Sequence, residues 1–259
     1  DYDLVFLKDG TLLRTELDAL GISRIDVSVD AATRVCTTII DHASGQVTEM
    51  IEPSGTVSDA AFGRLRARLL CQLSSFSGVA ICGTFPPRIP EDFYARLAGA
   101  ARAAGATVLL DGVKGLDPAL KQGLDILRLN ADELRAVTGE SELHRALHHP
   151  TVAGGCRWLA VTDGPGNAWL AGQGQLVEFT LPVLPATRST TGAGDCASAI
   201  MLVHAAGHDL TLGVAAEAFA QGLAAASASC LTDAPAQFSP QAAATIRARM
   251  ALQHSPSAD

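Results

Sequence analysis

The chain has 259 residues, 48% of them hydrophobic and 18% charged, enough apolar material for one full α/β core with a small appendage. A formal net charge of −8 argues against nucleic acid and anionic membrane surfaces as partners. No apolar run reaches spanning length and Asp1-Tyr2-Asp3 is no signal peptide, so the expected location is the cytoplasm.

Residues 24–52 alternate apolar and polar side chains in three runs, around Ile25 to Val29, Val35 to Ile40 and Val47 to Ile51. With turn material between them, these predict a small antiparallel sheet wet on one face. From Ser58 the period becomes helical, with Phe62, Leu65, Leu69 and Leu73 on one stripe. Strands are then expected at 79–82, 107–111, 125–129 and 158–162, with helices at 90–104 and 131–137. Further alanine-rich helices fill 193–228. Strands alternating with helices imply a mostly parallel sheet between helices, joined by right-handed crossovers. The expected division is 1–23, 24–53 and 54–259. Residues 254–259 are expected to fray. The six cysteines include no C-x-x-C pair and lie mostly in apolar runs, which suits small buried hydrophobes in a reducing compartment.

In such a sheet, functional residues lie at strand C-termini and helix N-termini, where Thr84, Asn130, Thr162 and Asp195 all fall. The most informative stretch is Thr190-Thr191-Gly192-Ala193-Gly194-Asp195, a glycine-bearing turn that empties into an apolar helix. The N–H groups of Gly192, Ala193 and Gly194 would face outward unpaired at a positive helix end, a site for a group gaining negative charge. Asp195 beside them would take a proton from an attacking hydroxyl. The plainer reading is an Asp-bearing helix start after a glycine turn. Arg34 reads as a solvated strand residue and Thr84 as a turn residue. Asn130 and Glu133 have the spacing of a capping box.

Thr-Thr-Gly-Ala-Gly-Asp resembles the C-terminal signature of the ribokinase-like (PfkB) carbohydrate kinases, and other motifs follow in that family's order. Residues 33–41 with Thr48 and Glu49 resemble the 1-phosphofructokinase and tagatose-6-phosphate kinase branch. Gly83-Thr84-Phe85-Pro86-Pro87 is similar to its Gly-Ser-Leu-Pro-Pro turn, and Asn130 to Glu133 to its Asn-x-x-Glu motif. Thr162-Asp163-Gly164 resembles its nucleotide loop, with Asn167 replacing the last glycine. The resemblance implies a three-layer ribokinase-like fold, in which 1–23 are a remnant of the N-terminal part of the α/β domain, 24–53 a small β lid, and 54–259 the α/β nucleotide-binding and catalytic domain. It also implies phosphoryl transfer from ATP to a hydroxyl of a ketohexose phosphate. The acceptor would be fructose 1-phosphate, fructose 6-phosphate or tagatose 6-phosphate. Asp195 would be the base and the amides of 192–194 the anion hole. Arg34 and Thr84 would contact the phosphate the substrate already carries, with Arg88 as a second cation; the family usually has glycine at that position. Arg128, Asn130, Thr162 and Gly164 would serve the nucleotide, and Glu133 would help hold Mg²⁺ through water. A monovalent cation and a homodimer formed through the lid belong to the same implication, and residues 219–228 would line the adenine pocket.

The family's first strand and its Gly-Gly-Lys-Gly-x-Asn segment find no counterpart here. Lys8-Asp9 falls near the place of a Gly-Gly and cannot stand in for that segment. The expectation is therefore a chain lacking the family's N-terminal part. Two alternatives stay open: a kinase of the same fold acting on an unphosphorylated sugar or a nucleoside, and a nucleotide-binding pseudokinase or regulatory module.

Overall fold

The computed structural model describes residues 2–7, 11–40 and 47–256. Lys8-Asp9, Asp41, the expected turn at 42–45 and residues 257–259 lie outside the described residues. The chain divides into two compact units, one of residues 1–72 with 84–90 and one of residues 73–83 with 91–259. The expected boundaries at 23 and 53 are not those the packing draws, because the helix after residue 58 groups with the first unit.

In the first unit, strand β1 (Tyr2–Leu7), helix α1 (Thr11–Ala19) and strand β2 (Ser23–Ser28) form a βαβ element, with β1 and β2 parallel from Tyr2↔Ser23 to Leu7↔Ser28. Strands β3 (Cys36–Ile40) and β4 (Val47–Ile51) form a separate antiparallel pair. The single small antiparallel sheet expected over 24–52 is thus corrected: β2 belongs to the parallel pair. Its alternation has another cause, since Ile25 and Val27 are buried on one face and β2 packs against helix α2 (Asp59–Leu70). Ser58 caps α2 as expected, its Oγ accepting from Ala61 N at 3.3 Å. Phe62, Leu65 and Leu69 are buried on one side of that helix.

The second unit is built on a seven-stranded sheet. Strands β5 (Gly78–Cys82), β6 (Thr107–Asp111), β7 (Leu124–Asn130) and β8 (Cys156–Asp163) run parallel in that order. Hairpins then add β9 (Asn167–Gly172) and β10 (Gln175–Thr180) antiparallel, and the last strand, β11 (Ala251–Pro256), closes on β10. Residues 254–256, expected to fray, are therefore part of the sheet.

Helices cover both faces. α3 (Phe93–Ala103) and α8 (Ala193–Ala205) both pack on β5 and β6, and alternation along β6 sends Leu109 to the α8 side and Val108 and Leu110 to the other. α4 (Leu116–Gln122) packs beside α3, while α5 (Ala131–Thr138), α6 (Leu143–Leu147) and α7 (Pro150–Ala153) group on β7 and β8. α9 (Leu212–Ser229) lies along α8, and α10 (Pro240–Arg249) along α9. Two-sided burial explains why β6 to β8 read as near-continuous apolar runs. Trp158 is fully buried and donates its indole N–H to Leu210 O at 2.9 Å, pinning the start of α9 to β8.

None of the cysteines is in a disulfide, but three of the six, Cys36, Cys71 and Cys82, are exposed. The reading of them as buried hydrophobes holds for Cys196 alone in full; Cys156 and Cys230 are half-buried. Among the described residues no helix is long and apolar enough to cross a membrane.

Candidate active site

The start of α8 carries the candidate base. Gly192 is the N-cap in the left-handed region, φ +77°, and a Cβ there would lie 2.8 Å from Ala236 N. Only glycine meets both conditions without strain. The expectation of three unpaired amides needs one correction: Ala193 N–H closes a turn onto Thr190 O at 3.2 Å. The amides of Gly194 and Asp195, in the first turn of the helix, begin it without intrahelical acceptors.

Beneath this helix start lies Arg128. Its Nη1 is 3.2 Å from Asp111 Oδ1 and its Nη2 donates to Thr162 Oγ1 at 3.0 Å. Asp111 is held a second time by Ser198 Oγ, which donates to Oδ2 at 2.6 Å. Strands β6, β7 and β8 and helix α8 thereby meet in one polar cluster under the sheet's C-terminal edge. A Cβ at Gly194 would fall 2.8, 3.2 and 3.3 Å from Nη1, Nη2 and Cζ of Arg128. With Nη1 nearest and Cζ farthest, it is the Nη1–Nη2 end of the Arg128 guanidinium that lies against Gly194.

Asp195 is open to solvent on one side. Desolvation by the surrounding protein raises its pKa above the ordinary carboxylate range, repulsion from Asp111 adds to this, and Arg128 opposes it. A carboxylate beside a positive helix start, with its proton affinity raised, is equipped to accept a proton from a hydroxyl.

Asn130 ends β7 and caps α5. Its side chain accepts from Glu133 N at 2.8 Å, and Glu133 Oε2 accepts from Asn130 N at 2.8 Å, a complete capping box. Thr162 and Gly164 lie at the β8–β9 hairpin, where Asp163 pairs with Asn167. Gly164 has φ +60°. Asn167 is strand residue rather than left-handed turn, and its Nδ2 donates to Glu178 Oε1 at 2.9 Å. Phe219 is fully buried and meets Phe179 edge-on at 5.2 Å, so helix packing accounts for it. Among the described residues no three His, Cys, Asp or Glu side chains gather as a metal cage. That is compatible with magnesium, which keeps most of its waters and takes one or two carboxylates plus substrate phosphates.

Arg34, Thr84 and Arg88 belong to the first unit. Arg34 lies just before β3, exposed, with Nη1 3.5 Å from Ser54 Oγ. Thr84 is exposed two residues after the end of β5. Arg88 has φ +71°, in the left-handed region that glycine adopts without strain. Asp111 and Ser198 were not legible as site residues. Asp111 ends a buried strand, the position the edge rule singles out, but its partners are 17 and 87 residues away in sequence.

Residues 8–242 match the pfkB family carbohydrate kinases. A 1-phosphofructokinase of Rhodobacter capsulatus is 33% identical over 211 residues, 78% of this chain and 66% of that protein. An ATP-dependent 6-phosphofructokinase isozyme 2 of Mycobacterium tuberculosis is 27% identical over 199 residues, 75% of this chain and 58% of that protein. The chain thus spans less than two thirds of the length of these relatives. Phosphofructokinase-2 from Escherichia coli, solved in complex with potassium, superposes with a TM-score of 0.81 at 23% identity, over 96% of this chain and 81% of that one. Fold and motif order agree with the family match: the chain belongs to the pfkB family of carbohydrate kinases.

Proposed function

We propose that the protein of which this chain is part transfers the terminal phosphoryl group of ATP to a hydroxyl of a ketohexose phosphate. The observation that carries the reading is Asp195, a carboxylate of raised proton affinity in the first turn of α8, with Arg128 held against the same turn. Asp195 accepts the hydroxyl proton. The amides at the start of α8 meet the charge that builds on the phosphoryl oxygens. Arg128, Thr162 and Gly164 serve the phosphates of the nucleotide, and Arg34 and Thr84 take the phosphate of the sugar. Magnesium arriving with ATP would be held through water by Glu133, beside Asn130, and would offset phosphate charge. Only Oε2 of Glu133 is engaged in the capping box. The β3–β4 hairpin exposes Ile39 and Met50 on one face, with Val35 exposed just ahead of β3, an apolar surface through which a second copy would pair.

The test is ADP release by the full-length protein with fructose 1-phosphate, fructose 6-phosphate, tagatose 6-phosphate, free fructose and adenosine, each with and without potassium. Turnover confined to one or more sugar phosphates is the expected result. Turnover with free sugar or nucleoside alone would move the protein to another branch of the fold, and ATP binding without turnover on any acceptor would make it a regulatory module.

A further inference from the structure

We propose that Asp111 is a positioning residue for phosphoryl transfer, acting through Arg128: it holds the Nη end of the guanidinium beside Gly194 and keeps it from closing more tightly onto the nucleotide phosphates it serves before the reaction. The inference deepens the kinase reading and rests on it for the word transfer, but not for its geometry.

Three observations support it. Arg128 is held at both ends, by Asp111 at 3.2 Å and by Thr162 at 3.0 Å, and the arginine and aspartate side chains are each only 12% exposed. A buried ion pair is poor evidence of a stabilising role, since apolar side chains of equal volume often serve as well. The arginine also leaves its Nε buried and unpartnered, a cost that a purely structural residue has no reason to carry. Second, Asp111 is tied to α8 itself by the 2.6 Å bond from Ser198, so the strand carboxylate and the helix start are fixed relative to one another. Third, the guanidinium lies where only a residue without Cβ leaves it room. A full positive charge against a helix start that is already positive is unfavourable by itself. The carboxylate of Asp111 offsets that repulsion and sets where the charge rests.

Without Asp111, Arg128 loses its hold and its compensating negative charge together. Its charge is then free to pair with whatever anion binds at the helix start. Ground-state binding of phosphates strengthens while the geometry suited to the transition state is lost, and only the second matters for rate. A merely structural role would weaken both.

The experiment is a double-mutant cycle in the full-length protein with Asp111→Asn and Arg128→Gln, read by calorimetry with inorganic tripolyphosphate and, separately, by kcat. Asp111→Asn should bind tripolyphosphate at least ~3-fold more tightly than wild type, and this gain should vanish in the Arg128→Gln background, as for contacting groups that act as a unit. The kcat loss caused by Asp111→Asn should likewise be absent when Arg128 is already Gln. Weaker or unchanged binding in Asp111→Asn, or a gain that persists without Arg128, overturns the proposal. If Asp111→Asn does not fold, Asp111→Ser, which likewise removes the carboxylate charge facing Arg128, takes its place in the cycle with the same expected signs. Wild-type protein that turns over no acceptor would count against the kinase reading alone, because the tripolyphosphate arm still decides the role of Asp111.

Discussion

At Asp195 two requirements oppose one another: a base must be ionised to accept a proton, while desolvation and the neighbouring Asp111 resist ionisation. Activity should therefore fall on acidification at a pH above that of an ordinary aspartate, ~3.9, and a pH profile of kcat checks this. The same shift has a stability consequence. A carboxylate whose folded pKa is raised binds more protons folded than unfolded between its two pKa values, so stability declines as pH rises through that window and the penalty is complete above it. Asp195→Asn should lose at least ~10²-fold in kcat yet melt no lower than wild type at neutral pH; a lower melting temperature with normal turnover would return Asp195 to a structural role. Gly194→Ala should displace the Arg128 guanidinium, now 2.8 Å from where the methyl would sit, and cut kcat in steady-state assay. Arg34→Ala should raise KM for the sugar phosphate by roughly tenfold to a hundredfold, the worth of one charge-assisted contact, and leave the KM for ATP alone. The place of Asp195, in the first turn of a helix behind a glycine turn, was legible in sequence because glycines, carboxylate and helix are contiguous. The Asp111–Arg128–Ser198 cluster was not, since nothing local tells which of many charged residues a fold brings together.

The helix α5 shows how one element carries two readings. Asn130 and Glu133 have the spacing of a capping box and the structure contains one, which neither requires nor forbids a part in holding magnesium. Glu133→Gln separates them, because Gln serves at N3 of a capping box. The expected outcome is an unchanged melting temperature with a raised magnesium requirement, read by magnesium titration of kcat; superimposable titrations would leave the cap as its whole role. The hairpin of β3 and β4 is the opposite case, an element with little to bury. Ile39 and Met50 share one face of it and are 50% and 53% exposed. Isolated two-stranded ribbons are marginal in water, so amide hydrogen exchange should be fastest there and slowest in β6 to β8, whose backbone lies in the core. Slow exchange in the hairpin at high protein concentration, lost on dilution, would be the mark of pairing with a second copy.

For the molecule as a whole, the parallel half of the sheet was readable because β5 to β8 are apolar runs separated by helices. The antiparallel half was not, because β9 and β10 follow through hairpins of a few residues and carry the same apolar character as core strands. β2 misled for a related reason, since burial of one face gives alternation whether the partner strand runs parallel or antiparallel. The last strand is where this matters most. β11 pairs with β10 across all six residues and, among the described residues, has no strand on its other side. It acts as a stopper: with it in place, the edge of the sheet is a polar strand carrying Gln253 and His254, and without it the edge is β10, whose Val177 and Phe179 are fully buried. A protein ended at Met250 would offer an unpaired apolar strand to its neighbours, and light scattering should show it gathering into large particles at concentrations where the longer chain does not. Residues 251–256 would then be what keeps this sheet from becoming a template for its own aggregation.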